Sequence, residues 1–87
     1  MILLERNLNG GTQTLHKFTN GYGASVIAGG TYTYGGDEGL KELAVLKFYD
    51  GDSYELCYET EITDDVLGYL TGEDVADLLV RIEALEV

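Results

Sequence analysis

The stretch LKELAVLKFYDGDSYELCYETEI, residues 40–62, decides how the chain is read. Leu40 to Tyr49 and Ser53 to Ile62 are two strand-like runs around Tyr49-Asp50-Gly51-Asp52, so the segment is expected to be a β-hairpin. Its register can be argued from charge. A two-residue turn at Asp50-Gly51 sets Glu42 opposite Glu59, a destabilising like-charge pair. A three-residue loop, Tyr49-Asp50-Gly51, sets Lys41 opposite Glu59, Leu46 opposite Tyr54 and Ala44 opposite Leu56. The second register is the expected one. In the returning strand Tyr54, Leu56, Tyr58 and Ile62 share one face, and Glu55, Cys57, Glu59 and Glu61 share the other. The first strand is apolar on both faces, which suits an inner strand.

Upstream, glycine does the punctuation in a chain without proline. Ile2 to Arg6 is expected as a strand, followed by a turn at Asn7 to Gly11. Thr12 to Phe18 returns, Asn20-Gly21 turns, and Tyr22 to Ala28 follows as a short apolar strand. Thr31-Tyr32-Thr33-Tyr34 has the β-branched and aromatic composition of another strand. Gly35-Gly36-Asp37-Glu38-Gly39 reads as an acidic loop.

Downstream, the reading turns helical. Thr63 is a candidate cap, with Asp64 and Asp65 in the first turn of a short helix over Val66 to Leu70. Thr71 opens a second helix, with Asp74 completing a capping-box variant. Val75, Leu78, Leu79, Ile82 and Leu85 recur at helical spacing, and Asp77 and Arg81 form an expected i, i+4 pair. The expected fold class is therefore α+β. An antiparallel sheet of four to five short strands is followed by a short helix and a C-terminal amphipathic helix packed on one face. Residues 1–87 are expected to form a single domain, β-rich over 1–62 and helical over 63–87.

Composition narrows the function. The 87 residues carry a formal charge of −11, with 16 carboxylates against five Lys and Arg. The imbalance is local. Residues 1–36 hold Glu5 against Arg6 and Lys17, whereas residues 37–87 hold 15 carboxylates against Lys41, Lys47 and Arg81. A field of this sign repels phosphate backbones and anionic lipid, which argues against direct nucleic-acid or membrane binding and favours partners with basic clefts. The apolar start, Ile2-Leu3-Leu4, is too short for a signal core or a membrane span. One cysteine, Cys57, cannot close an intramolecular disulfide. It reads as a half-buried free thiol, which together with the missing secretion signal suits a reducing cytoplasm.

The catalytic inventory is thin. No glycine-rich stretch matches a phosphate loop or a dinucleotide fingerprint. Asp50-x-Asp52, Asp37-Glu38 and Glu61-x-x-Asp64-Asp65 offer hard oxygens but match no calcium loop. No metal and no cofactor are expected. His16, alone between Leu15 and Lys17, reads as an ordinary surface or edge residue. Paired carboxylates could serve a small hydrolase using Asp50, Asp52 or Glu61, but a domain of this size has little room for a cleft. A non-enzymatic binding protein is the preferred class. Its candidate interaction residues are Tyr32, Tyr34, Asp37, Glu38, Asp50, Asp52, Glu55, Glu59 and Glu61, because tyrosine anchors interfaces and the carboxylates can stand in for phosphates. A self-associating accessory protein, dimerising through Ile2-Leu3-Leu4, is the alternative.

Residues Asn20-Gly21-Tyr22-Gly23-Ala24-Ser25-Val26 and Glu61 to Thr71 resemble small acidic proteins of Firmicutes phages and integrated elements. The resemblance implies a phage or mobile-element origin and a bacterial cytoplasm. It carries no catalytic residue. Such small acidic proteins include inhibitors of host nucleases, among them anti-CRISPR proteins and DNA mimics.

Overall fold

The computed structural model describes residues 2–8, 10–29, 39–60, 62 and 66–86. Among the described residues, six strands and one helix follow in chain order: β1 (Ile2–Leu8), β2 (Gly11–Lys17), β3 (Tyr22–Gly29), β4 (Lys41–Tyr49), β5 (Ser53–Leu56), β6 (Leu67–Leu70) and α1 (Gly72–Glu83). The strands form one antiparallel sheet in the order β1-β2-β3-β4-β5, curled into an open half-barrel, with β6 also pairing β4. The α+β class holds. The thirty-first to thirty-fourth residues and the acidic loop to Glu38 lie outside the described residues, as do Glu61 and the cap at Thr63, Asp64 and Asp65.

β4 organises the sheet. One edge pairs β3, with Ala24 opposite Val45 and Val26 opposite Leu43. The other edge is shared: β5 takes Leu46 to Tyr49, and β6 takes Lys41 and Leu43. Directly opposed residues share a face, so the ladder assigns each side chain. Leu43, Val45, Ala24, Val26 and Cys57 form a core with Val75, Leu78 and Ile82 of α1. Leu46 and Phe48 point the other way and pack with Leu15 and Leu3. Leu43 to Leu46 are all buried, which is why this strand is apolar on both faces. Each large aliphatic side chain so buried contributes about 1.5–3 kcal/mol of transfer free energy.

Two expectations about the chain after β4 are corrected. The hairpin register matches neither alternative. Its loop is Asp50-Gly51-Asp52, which sets Tyr49 opposite Ser53, Phe48 opposite Tyr54 and Leu46 opposite Leu56. Asp50 and Gly51 both take positive φ, 45° and 81°, so the sharp reversal comes one residue later than expected. Each cross-strand partner slides by two residues, which keeps the faces, and it is the helix that makes the Cys57 face the buried one. Cys57 donates its N–H to Val45 O at 2.8 Å and is buried against the helix. Tyr54 and Leu56, expected inside, remain 41% and 51% exposed on the edge strand. The strand also stops at Leu56, so Lys41 never meets Glu59; it faces Ala28 and Leu70 instead.

The second correction concerns the short helix over Val66 to Leu70, which is strand β6. Because β5 stops early, the Lys41–Leu43 half of the β4 edge is open to another strand. Leu67 and Leu70 occupy it and add to the helix-side core. Tyr69 takes φ 56°, a left-handed conformation incompatible with a continuous helix.

The final helix is as expected. The Thr71 hydroxyl accepts from the Asp74 N–H at 3.1 Å, and the Asp74 carboxylate accepts from the Thr71 N–H at 3.0 Å. These bonds hold the Asp74 carboxyl below its usual range, with the Thr71 backbone N–H the larger cause. Val75, Leu78 and Ile82 are buried, with Leu79 and Leu85 packed beside them. The expected Asp77–Arg81 ion pair is not formed.

The helix is also tied at its far end by a residue 62 positions away in sequence. The Asn20 amide donates to the carbonyls of Ile82, Glu83 and Leu85 at 2.9, 3.1 and 3.0 Å. Its oxygen accepts the Tyr22 N–H at 3.0 Å. One side chain thus adds a donor to carbonyls at the helix C-terminus, where the regular i to i+4 bonds run out. At the same end of the sheet Gly23 has no Cβ, and one built there would meet His16 O and the Phe48 ring. Replacement of Asn20 by Ala is expected to lower stability by about 1–2 kcal/mol, read from the urea midpoint. Asn20→Asp should cost at least as much, because it places an anion at the negative end of the helix dipole.

Candidate functional site

Of the nine candidate interaction residues, the four that are described do not gather in one place. Tyr32, Tyr34, Asp37, Glu38 and Glu61 lie outside the described residues. Asp50 is exposed at the hairpin tip with its left-handed backbone. Asp52 is engaged by Lys17, whose ammonium donates to Asp52 Oδ1 at 3.1 Å and to Gly51 O at 2.7 Å. The same ammonium stands 5.3 Å from the centroid of the Phe48 ring. Asp52 therefore helps clamp the hairpin loop to β2. Glu55 and Glu59 do come together, in a depression of the helix-bearing face.

That depression follows from the fold. Helix α1 packs on β3, β4 and β6. The sheet runs on past its C-terminal end, and the β4–β5 hairpin forms an uncovered shelf there. Tyr22 pairs with Lys47, and Lys47 pairs with Glu55, so these three side chains rise from one face in adjacent strands. Tyr49, Cys57, Tyr58 and Glu59 complete the walls of a depression of about 250 Å³. Through Tyr22 and Glu59 it continues into a second, shallower one beside Ala84, Leu85 and Glu86.

The chemistry of this lining is that of a cation site. Aromatic ring faces and carboxylates both attract positive charge. One cation is already present, since the Lys47 ammonium sits 5.5 Å from the centroid of the Tyr22 ring. Cys57 is a free, buried thiol at the floor. Among the described residues no group of three His, Cys, Asp or Glu side chains is placed to hold a metal ion.

Tyr22, Lys47 and Tyr58 were not among the residues singled out from the sequence. Tyr58 reads there as a regular position of a strand that in the structure ends at Leu56. Tyr22 and Lys47 are 25 positions apart, and only the β3–β4 register brings them together. No sequence signal marks that pair.

His16 is half-buried in an interior strand, not at an edge. It pairs with Ala24 and stacks on Phe18 with centroids 6.4 Å apart. Comparison with protein-family models, with curated proteins and with solved structures finds no match for this chain.

Burial lowers the His16 pKa from 6.5, with the positive amino terminus adding to the effect. The unfolded chain therefore binds this proton more tightly than the folded one. The stability associated with neutral His16 is fully present above the unfolded pKa and is lost as pH falls below about 6.5. Urea midpoints measured at intervals from about pH 7 to about pH 5 should decline, and His16→Gln should flatten that decline.

Proposed function

We propose that this chain is a small, non-enzymatic interaction protein that engages a basic site on another protein through acidic and tyrosine side chains. The observation that carries the reading is the shelf beside the helix terminus, where Tyr22, Tyr58, Glu55 and Glu59 line one depression. The charge of −11 supplies the long-range attraction toward a basic partner and accelerates encounter. The resemblance to phage and mobile-element proteins makes a host protein in the bacterial cytoplasm the natural partner. A nucleic-acid-binding protein fits best, with the carboxylates taking the places of phosphates. An inhibitor of a host nuclease, of the anti-CRISPR or DNA-mimic kind, is a specific form of this reading.

The immobilised protein should retain nucleic-acid-binding proteins from a bacterial lysate at about 50 mM salt and release them at about 0.5 M, as screening requires. Added duplex DNA should compete, and Glu55→Lys with Glu59→Lys should weaken retention. Recovery of no such protein at low salt contradicts the proposal.

One observation favours a second reading, self-association through the sheet edge. β1 is an outer strand, and its Ile2 and Leu4 side chains are 58% and 44% exposed. Open strand edges with apolar side chains template pairing with another chain. If this reading holds, sedimentation at rising concentration shows a dimer and Leu4→Lys returns it to monomer.

A further inference from the structure

We infer that the shelf depression is a receptor for a single arginine side chain, and that Lys47 is its internal occupant, displaced when the arginine enters. This rests on the proposed function and gives it a defined contact.

Lys47 is exposed, yet its ammonium lies over the Tyr22 ring. The ring face is therefore a place where a positive group is stabilised. Lys47 is a weak occupant, because a flexible lysine stem loses rotamer entropy to hold this geometry and its ammonium remains hydrated. A guanidinium is better suited. It is planar, stacks on an aromatic face, sheds water more readily and can direct its remaining N–H donors to a carboxylate. Glu55, opposite Lys47 in the ladder, and Glu59 supply carboxylates to the same depression. Tyr58 adds a further aromatic side chain to the lining. The occupant is fixed by charge complementarity: two glutamates beside tyrosine rings accept a cation and repel an anion.

Lys47 then has a regulatory consequence. While it covers Tyr22, it neutralises part of the site and competes with any incoming cation. A partner must displace it, which sets a threshold against lone lysines and favours arginine. Removing the Lys47 charge should strengthen binding, whereas removing a lysine that contacts a ligand would not.

The test uses the intact protein and two peptides, acetyl-Ala-Arg-Ala amide and its counterpart with neutral citrulline, titrated by amide NMR. The arginine peptide is expected to shift resonances of Tyr22, Lys47, Glu55, Tyr58 and Glu59, and the citrulline peptide is not. Lys47→Met should tighten the arginine peptide about two- to fivefold, the range of a solvent-exposed cation–π contact. Arg81→Gln removes the same charge from the exposed helix and should leave the affinity nearly unchanged. Tyr22→Leu should abolish the shifts; because Tyr22 also packs against the core, Glu55→Gln provides a second loss-of-binding variant outside it. Equal effects of Lys47→Met and Arg81→Gln overturn the inference, as does equal binding of the two peptides or no binding of either. If the peptides fail but lysate capture persists and remains salt-sensitive, the arginine receptor falls and the broader function stands. If both fail, the broader function falls as well.

Discussion

The structure depends on β4 being enclosed on every side. Leu43 to Leu46 are buried, with Leu43 and Val45 in the helix-side cluster and Leu46 in the cluster with Leu15 and Phe48. Its backbone is paired with β3 along one edge and with β5 and β6 along the other. A chain of 87 residues has little apolar surface to bury, so one strand serving two clusters is an efficient use of it. β1 and β2 extend the curl, and Leu15 with Leu3 closes the second cluster.

The same arrangement leaves a site. One helix of 12 residues cannot span the helix-bearing face, and Asn20 fixes where that helix ends. Beyond that point the β4–β5 hairpin stands clear, and residues that a longer helix would have covered face solvent. Tyr22 belongs to both regions. It packs against the helix-side core and presents its ring to Lys47. Binding at the shelf is thereby connected to the rigid centre of the sheet, which keeps the aromatic wall in place before a partner arrives. Lys17 performs a comparable service for the hairpin tip, holding Gly51 and Asp52 against β2.

Much of this was legible in local sequence. The apolar run of β4, the Gly21 turn, the Thr71–Asp74 box and the Val75, Leu78, Ile82 stripe each depend on neighbours a few residues apart. What escaped depends on distant pairing. The hairpin loop differs by one position from the expected one, which slides each cross-strand partner by two residues, and only the distant helix decides that the Cys57 face is the buried one. Val66 to Leu70 follows a cap-like sequence, but Val66, Gly68 and Tyr69 are weak helix formers and the vacant half of the β4 edge draws the run into a strand. The candidate site divided in the same way. Glu55 and Glu59 were identified as carboxylates of interest, while the Tyr22–Lys47 contact that gives them a chemical role requires the β3–β4 register. Asp52 shows the same dependence, a carboxylate whose ion pair is made by Lys17 of β2.

The account stands most directly on whether Lys47 is a displaceable occupant of the Tyr22 ring. Proton chemical shifts of the Lys47 side chain, measured with and without saturating arginine peptide, report this through the ring current. The expected result is an upfield position for the Lys47 ε-methylene in the free protein. On binding it should return to the ordinary lysine value, while the arginine δ-methylene moves upfield in its place. A Lys47 ε-methylene that keeps its shift when the peptide is saturating would contradict the account.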